Sequence, residues 1–250
     1  MRVHRLSTTP VKATSLHHPD SVVLGPDGIE ADRAFLFIDP EKPRYDSGKL
    51  AALMPVRAEH DPTAHRLRFT LPDGRTVDGD TVAGEPLTID LWGRHIPSHR
   101  VPGPWDELAS ELTGRTLRLV RPDTGNVTDE EPLTLVSRAS AEELSLLLGD
   151  ADVGTERFRM SIDLDGAAAR EEEGWTGKQV RIGTASIQIL GPVPRCVVTT
   201  WDPRTGIKDL DTLKAIRQIR GRVPEGLPMG VYARVVEPGT VRVGDEAVPA

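Results

Sequence analysis

The chain has 250 residues, 38% of them hydrophobic and 28% charged, with a formal net charge of -7 and a single cysteine. One cysteine excludes an intramolecular disulfide, an all-cysteine iron–sulfur cluster and a zinc site with several cysteines, because each needs at least two thiolates. The acidic balance argues against a nucleic-acid partner, since that affinity comes largely from clustered lysine and arginine.

The hydropathy pattern shows no membrane signal. No apolar run approaches the roughly 20 residues that cross a bilayer, and the first ten residues lack the apolar core of a secretory signal. We therefore expect a cytoplasmic protein with no membrane partner.

Short strands dominate the predicted elements. The 23 glycines and 21 prolines are spread along the chain, which is typical of many short strands joined by tight turns. Several segments, such as Arg66–Leu71, alternate polar and apolar residues. The predicted strands are 3–6, 21–24, 34–38, 66–71, 87–91, 95–100, 117–120, 133–136, 158–164, 186–190, 195–200, 231–236 and 240–243.

Three short helices are predicted, at 104–112, 140–148 and 211–219. The first has Pro104 in its first turn. The second begins with Ser140 and Glu143 in the spacing of a capping box and ends before Gly149. We expect these helices to cover sheets or barrel ends.

A polar stretch from Gly125 to Pro132 interrupts the pattern of strands. We place a domain boundary shortly before it, which gives a first domain at 1–121 and a second at 122–250. Nothing there is long or Gly/Ser-rich enough to act as a free linker, so we expect the two domains to pack closely.

Cys196 lies where a loop with two prolines meets a predicted strand, next to Arg195. A neighbouring guanidinium favours the thiolate, which is the form that attacks electrophiles or binds soft metals. A buried structural thiol is the alternative, because free cysteine is among the most buried residue types.

Other basic residues recur beside strand ends: Lys12, Arg33, Arg157 and Arg159. If the fold brings them to Arg195, they would form an anion pocket, since arginine matches phosphate in a bidentate manner. Sequence spacing alone leaves open that each is a solvated charge.

The remaining polar motifs point to no chemistry. The acidic run Glu171–Glu173 is interpreted as a solvated loop without a catalytic role. The histidines His17, His18, His60 and His65 have no metal-site spacing and are interpreted as surface or turn residues. The chain has no dinucleotide-binding, P-loop or serine-hydrolase motif.

Several segments together resemble the MOSC family, whose domains are similar to the C-terminal part of molybdenum cofactor sulfurase and which includes the amidoxime-reducing components. The segments are Arg157-Phe158-Arg159, Glu173-Gly174-Trp175, Arg195-Cys196 with Thr199 to Gly206, and the closing 230–232 and 237–245. Thr9–Lys12 and Gly28–Arg33 resemble the N-terminal β-barrel domain that accompanies this family. The resemblance covers nearly the whole chain.

The resemblance implies a mainly β (α+β) fold, with a MOSC β-barrel-like domain packed against a smaller N-terminal β domain and few short helices. It implies a molybdenum cofactor between the two domains, with Cys196 as metal ligand and catalytic residue. The residues implied to hold the phosphate and pterin of the cofactor are Lys12, Arg33, Ser137, Arg159, Ser161, Arg195 and Tyr232.

The chain departs from the family pattern at three positions. Met160-Ser161 replaces a Pro-Asn pair, and Ala13 replaces a serine. Ser161 keeps a hydroxyl, whereas Ala13 cannot donate a hydrogen bond. A member without the cofactor is therefore one alternative.

The resemblance favours an oxidoreductase that reduces N-hydroxylated compounds with electrons from a separate reductase or ferredoxin, because one cysteine cannot hold a cluster. A second hypothesis is a sulfur-transfer protein that carries a persulfide on Cys196, delivered by a cysteine desulfurase. A third is a non-catalytic module whose pocket holds some other anion.

Overall fold

The computed structural model is built mainly from β-strands, and it describes residues 1–125, 127–149, 151–221, 223–224 and 226–250. The strands are β1 Arg2–Leu6, β2 Ser21–Gly25, β3 Gly28–Ile29, β4 Leu36–Ile38, β5 Arg57–Asp61, β6 Arg66–Thr70, β7 Thr76–Asp80, β8 Pro86–Leu91, β9 Arg94–Arg100, β10 Arg118–Pro122, β11 Leu133–Ser137, β12 Ile162–Asp165, β13 Gln179–Ile182, β14 Ala185–Pro194, β15 Pro228–Glu237, β16 Gly239–Arg242 and β17 Ala247–Pro249. The α-helices are α1 Trp105–Thr113, α2 Arg138–Leu147 and α3 Thr212–Arg220. The 3-10 helices are Ser47–Lys49, Ala51–Leu53, Thr155–Phe158, Glu171–Trp175 and Val197–Thr200.

These elements confirm the predicted mainly β fold with few short helices. Within the described ranges, no helix is long and apolar enough to cross a membrane.

A seven-stranded sheet curls into a nearly closed barrel, with the strand order β1-β12-β11-β15-β14-β13-β17. Its two edge strands meet, because Arg2 bridges Glu246 and the backbone N–H of Ala247 donates to the carbonyl of Met1 at 3.0 Å. Along β14 the residues from Ala185 to Ile189 alternate between buried and half-buried. The alternating sequence therefore turns one face of this strand into the barrel core.

A second core lies between the sheet β4-β10-β9-β8 and the sheet β5-β6-β7. Phe35, Phe69 and Trp105 are each at most 1% exposed there. The indole N–H of Trp105 donates to the carbonyl of Val101 at 2.7 Å, which satisfies its polar atom. Trp105 thus anchors α1 to the second core.

The packing does not follow the expected boundary between residues 121 and 122. β1 pairs with β12 and β2 pairs with β16, so the first two strands join the second half of the chain. Leu6 and Leu24 are fully buried in the barrel core, whereas Val11 and buried residues from Ala34 to Val127 build the second core. β1 is the edge strand that meets the other edge of the barrel sheet. The chain therefore begins in the barrel core and continues into the second core.

One predicted strand is a short turn instead, and another is shortened. The segment predicted as strand 195–200 forms the 3-10 helix Val197–Thr200. The hydroxyl of Thr199 donates to the carbonyl of Cys196 at 3.0 Å, and that of Thr200 donates to the carbonyl of Val197 at 2.7 Å. Such local bonds compete with strand pairing and outweigh the β propensity of these residues. Similarly, the predicted strand 158–164 begins only at Ile162.

Two interpretations around α2 are wrong. The helix begins at Arg138 with Ser137 as its N-cap, so Ser140 lies in the first turn and does not cap it. Glu172 is not in a solvated loop, because it is fully buried and accepts a hydrogen bond from the backbone N–H of Ser137 at 3.1 Å. Glu172 therefore binds the backbone at the start of α2.

Candidate functional site

A cleft of about 930 Å³, including its open mouth, lies between the second core and the barrel. Seven of the eight site residues predicted from the sequence line it: Lys12, Arg33, Arg159, Ser161, Arg195, Cys196 and Tyr232. The first two come from the N-terminal segment, and the other five come from the second half of the chain. The fold thus brings together basic residues that are more than 180 positions apart in the sequence.

Cys196 follows the end of β14 and immediately precedes the 3-10 helix Val197–Thr200. Cys196 is exposed and lines the cleft. The alternative of a buried structural thiol is therefore wrong, and the sulfur is accessible for chemistry or for binding a soft metal.

Arg159 has a backbone φ of 54°, and this left-handed turn follows the 3-10 helix Thr155–Phe158. Its Nη2 donates to the carbonyl of Thr14 at 2.6 Å. Its Nη1 is buried and has no hydrogen-bond partner in the part of the chain that the structure describes. Burial, followed by the nearby charge of Arg33, lowers the pKa of Arg159 to about 10. The guanidinium still carries its charge at neutral pH, and one of its N–H groups is left without a partner among the described residues.

Arg195 is held against the Phe158–Met160 segment. Its Nη2 donates to the carbonyl of Phe158, its Nη1 lies 3.3 Å from the sulfur of Met160, and its guanidinium lies 5.5 Å from the ring centroid of Phe158. Its Nε is buried without a partner among the residues described. Burial lowers the pKa of Arg195. Met160, one of the departures from the family pattern, therefore contacts the guanidinium directly.

Arg33 is already paired within the protein. Its Nη1 donates to the carboxylate of Asp32, and its Nη2 donates to the carbonyl of Arg159 at 3.0 Å. Asp32 also accepts from the backbone N–H of Thr9 at 2.8 Å. Arg33 thus fixes the position of the turn that carries Arg159.

Lys12 contacts two residues that the sequence analysis did not single out. Its ammonium lies 2.8 Å from the carboxylate of Asp129 and 5.0 Å from the ring centroid of Tyr45. Burial lowers the pKa of Lys12 and raises that of Tyr45. Asp129 lies in the polar stretch that served only to mark a boundary, while nothing in the sequence pattern distinguished Tyr45.

Ser161 and Tyr232 complete the cleft beside Thr134. The hydroxyl of Ser161 lies 3.3 Å from that of Thr134, and Tyr232 pairs with Thr134 across β15 and β11. Both Ser161 and Tyr232 are at least nine-tenths buried, and burial raises the pKa of Tyr232. Ala13 also lines the cleft, in a left-handed conformation with φ 77°.

Two other residues do not reach the cleft. Ser137 is fully buried, and its hydroxyl lies 2.7 Å from that of Ser140 at the start of α2. Arg157 donates to both carboxylate oxygens of Asp209, at 2.7 and 2.8 Å. The structure thus places Ser137 apart from the other seven predicted site residues, and it assigns Arg157 to a structural ion pair.

The donor set suits an anionic ligand beside a thiol. Of the residues described, none form a cluster of three or more histidine, cysteine, aspartate and glutamate side chains that could hold a metal ion. Cys196 offers one thiol, while Arg159 and Arg195 each offer a buried N–H group without a partner among the described residues. Such donors bind phosphate strongly. The residues present therefore fit a ligand that carries a phosphate and a soft metal with further ligands of its own.

The family model of the MOSC domain matches residues 122–248, which is just over half of the chain. The chain belongs to the MOSC domain family.

Among curated proteins, "Mitochondrial amidoxime reducing component 2" of Rattus norvegicus is 32% identical over 151 residues, which cover 54% of this chain and 44% of the relative. "Mitochondrial amidoxime-reducing component 1" of Mus musculus is 34% identical over 128 residues, with 47% and 36% covered. "Molybdenum cofactor sulfurase" of Anopheles gambiae is 27% identical, with 88% and 32% covered. The chain spans less than half the length of these relatives.

Among solved structures, the YUAD protein from Bacillus subtilis matches over 98% of this chain and 93% of its own, at 11% identity and a TM-score of 0.48. We draw no functional conclusion from this distant likeness.

Proposed function

We propose that the chain binds a molybdenum cofactor in the cleft and reduces N-hydroxylated compounds. The observation that carries this proposal is an exposed thiol, Cys196, in the same cleft as two half-buried arginines, each with one buried N–H group that has no partner among the described residues. The names of the amidoxime-reducing relatives and of the cofactor sulfurase relative support the proposal.

Each side chain has a role that follows from its contacts. Cys196 would hold the metal through its thiolate, which is a soft and polarizable ligand. Arg159 and Arg195 would donate their free N–H groups to the phosphate, and Lys12 and Arg33 would add positive charge. When bound, the cofactor supplies the two electrons that, with two protons, convert an N–OH group to N–H and water.

The rest of the cleft strengthens these contacts. Leu50 and Met54 are buried apolar residues that line it together with Val198. An apolar wall offers no competing hydrogen bonds and lowers the local dielectric, so each charged hydrogen bond is stronger than it would be in water.

In this proposal, a separate protein supplies the electrons for the reduction. The chain has one cysteine, so it holds no all-cysteine cluster of its own. A separate reductase or ferredoxin would deliver electrons at the mouth of the cleft, where Cys196 is exposed.

Elemental analysis tests the metal ligand. We expect near-stoichiometric molybdenum in the wild type expressed in a host that makes the cofactor, and loss of most of it in Cys196→Ser. The matched control is Val197→Ser, because Val197 is the exposed neighbour, does not line the cleft and receives the same new residue. Equal molybdenum in Cys196→Ser and the wild type would refute the role of the thiolate. A loaded protein that reduces no N-hydroxylated compound with a competent reductase would refute the activity.

The exposed thiol also supports a second candidate, in which Cys196 carries sulfur as a persulfide from a cysteine desulfurase. This alternative predicts a wild type without molybdenum. It also predicts a reversible mass increase of one sulfur atom, about 32 Da, on Cys196. Mass spectrometry of the intact protein, before and after a reducing agent, distinguishes the two functions.

A further inference from the structure

The two carboxylates paired with basic residues of the cleft differ in their exposure. The side chain of Asp32, which pairs with Arg33, is 3% exposed. The side chain of Asp129, which pairs with Lys12, is 57% exposed although that of Lys12 is only 7% exposed. Solvent and an incoming ligand can therefore reach the carboxylate of Asp129 but not that of Asp32.

The position of Asp129 is fixed by its surroundings. The guanidinium of Arg94 donates to the carbonyls of Thr128 and Asp129, and the indole N–H of Trp92 donates to the carboxylate at 3.1 Å. The backbone N–H of Val127 donates to the carbonyl of Arg33 at 3.1 Å. These bonds hold the backbone of 127–129 beside the cleft. They thereby place the carboxylate of Asp129 next to the ammonium of Lys12.

The charges of the cleft are unevenly balanced. Arg159 and Arg195 have no carboxylate partner within the described residues, and Arg33 and Lys12 have one each. Without Asp129, the buried ammonium of Lys12 would lose its paired carboxylate while it still lies near the guanidinium of Arg33, which is unfavourable in a low dielectric. A phosphate in the cleft would supply that counter-charge and make the carboxylate redundant.

We propose that Asp129 is a replaceable counter-ion, which neutralises Lys12 while the cleft is free of anions and is displaced from the ammonium by an incoming phosphate group. The inference rests on the proposed function, because it requires that the cleft receive a phosphate. It makes two predictions of opposite sign. Removing the charge of Asp129 tightens phosphate binding, and it destabilises the protein in the absence of phosphate.

The test uses the full chain, produced without the cofactor, with inorganic phosphate as the probe at pH 7 and low ionic strength. Asp129→Asn keeps an oxygen that can accept from Trp92 and removes only the charge. We expect its Kd for phosphate in calorimetry to fall about tenfold, while its Tm without phosphate falls below that of the wild type.

The matched control is Glu131→Gln, which removes one negative charge two residues away in the same cleft lining. Its Kd should change much less, because Glu131 forms no ion pair among the described residues. The double-mutant cycle with Lys12→Met isolates the pair. With Lys12 replaced, Asp129→Asn should no longer tighten binding.

Four outcomes would overturn the inference. An unchanged Kd in Asp129→Asn, or equal tightening in the Lys12→Met background, rejects the counter-ion while leaving the phosphate site intact. A lower Tm in Asp129→Asn without tighter binding shows a purely structural contact. Absence of phosphate binding in both the wild type and Asp129→Asn also rejects the inference, and the molybdenum content of the wild type then decides separately whether the proposed function stands.

Discussion

Two arginines that are two positions apart show how local conformation decides the role of a residue. Arg157 ends in a bidentate ion pair with Asp209. Arg159 follows in a left-handed turn and keeps a buried Nη1 without a partner in the described part of the chain. A buried donor that is not hydrogen-bonded costs about 1–3 kcal/mol. A ligand that accepts from Nη1 recovers this free energy.

Arg159→Lys tests this difference. The substitution keeps a positive charge and removes the fork of N–H donors. Loss of one hydrogen bond to a charged group is worth about 1.5–3 kcal/mol, so we expect the Kd for phosphate to rise about 10- to 100-fold. In Arg157→Lys, the matched control, the free energy of unfolding should fall while the Kd for phosphate stays near that of the wild type. Calorimetry and urea unfolding of both variants give the two quantities, and equal effects on Kd would contradict the assignment.

Burial of a second residue makes stability depend on pH. Burial, the largest cause, raises the pKa of Glu172 above its ordinary value of 4.5. The folded protein therefore binds this proton more tightly than the unfolded chain does. The stabilisation from Glu172 is complete below the unfolded pKa and is lost as the pH rises through the folded pKa.

Glu172→Gln removes this titration and keeps an oxygen that can accept from the backbone of Ser137. We expect the free energy of unfolding of the variant, relative to the wild type, to increase from pH 4 to pH 8. Glu171→Gln is the control, because Glu171 is the exposed neighbour in the same 3-10 helix. Urea unfolding at both pH values would disprove the idea if the two variants showed the same pH dependence.

The turn from Asp202 to Gly206 packs against the segment that carries Ala51. The backbone N–H of Gly206 donates to the carbonyl of Asp202 at 2.8 Å, and its φ is +70°. A Cβ at Gly206 would lie 2.2 Å from the carbonyl oxygen of Ala51. Backbone thus packs against backbone, and Ala51 itself lines the cleft.

Gly206→Ala should destabilise the protein by about 3 kcal/mol, because it adds a steric clash to the strain of a left-handed alanine. The control Gly177→Ala has a similar φ of +82° and nothing within 4 Å of the new Cβ. We expect it to cost about 1 kcal/mol. Thermal and urea unfolding measure both values. If the two variants were equally stable, the contact with Ala51 would not matter.

At the scale of the whole molecule, the two cores are interleaved along the chain. Leu6 and Leu24, both 0% exposed, fill the barrel core, while Val11 and buried residues from Ala34 to Val127 fill the other. Each fully buried leucine contributes about 2 kcal/mol of hydrophobic free energy. The matched family segment at 122–248 therefore depends on strands that lie outside it.

A fragment of residues 122–250 should accordingly show no cooperative unfolding transition, because its barrel lacks β1 and its strand β16 lacks the pairing partner β2. Adding residues 1–32 as a separate peptide should restore a cooperative transition, monitored by circular dichroism. The same peptide with Leu6→Asp and Leu24→Asp is the control and should fail. Cooperative unfolding of the fragment alone would show that the first strands are dispensable.

The sequence predicted the strands whose residues alternate, such as β6, and the three helices to within a few residues. It missed β3, β5, β7, β13 and β17. Of these, β5 and β7 are mostly polar and acquire their strand conformation from pairing with β6. Tertiary context decides such weakly patterned strands.

The site was predictable only through resemblance to a family. Local spacing could not bring Lys12 and Arg33 to Cys196, because that approach depends on how β4 and the barrel pack. The Val-Val-Thr-Thr run after Cys196 suggested a strand, yet its threonine hydroxyls stabilise a turn. Asp129 was passed over because a charged residue in a polar stretch looks like any solvated residue until its neighbours are known.

The dispersal of the cleft residues also sets an order of events in the cell. Lys12 is made early and Tyr232 late, and Tyr232 lies on β15, the strand between β11 and β14 in the barrel. A ribosome-bound chain that ends before this strand has the basic residues but no cleft. Any ligand that needs the complete cleft can therefore enter only after translation has passed β15, which makes its insertion a late step of maturation.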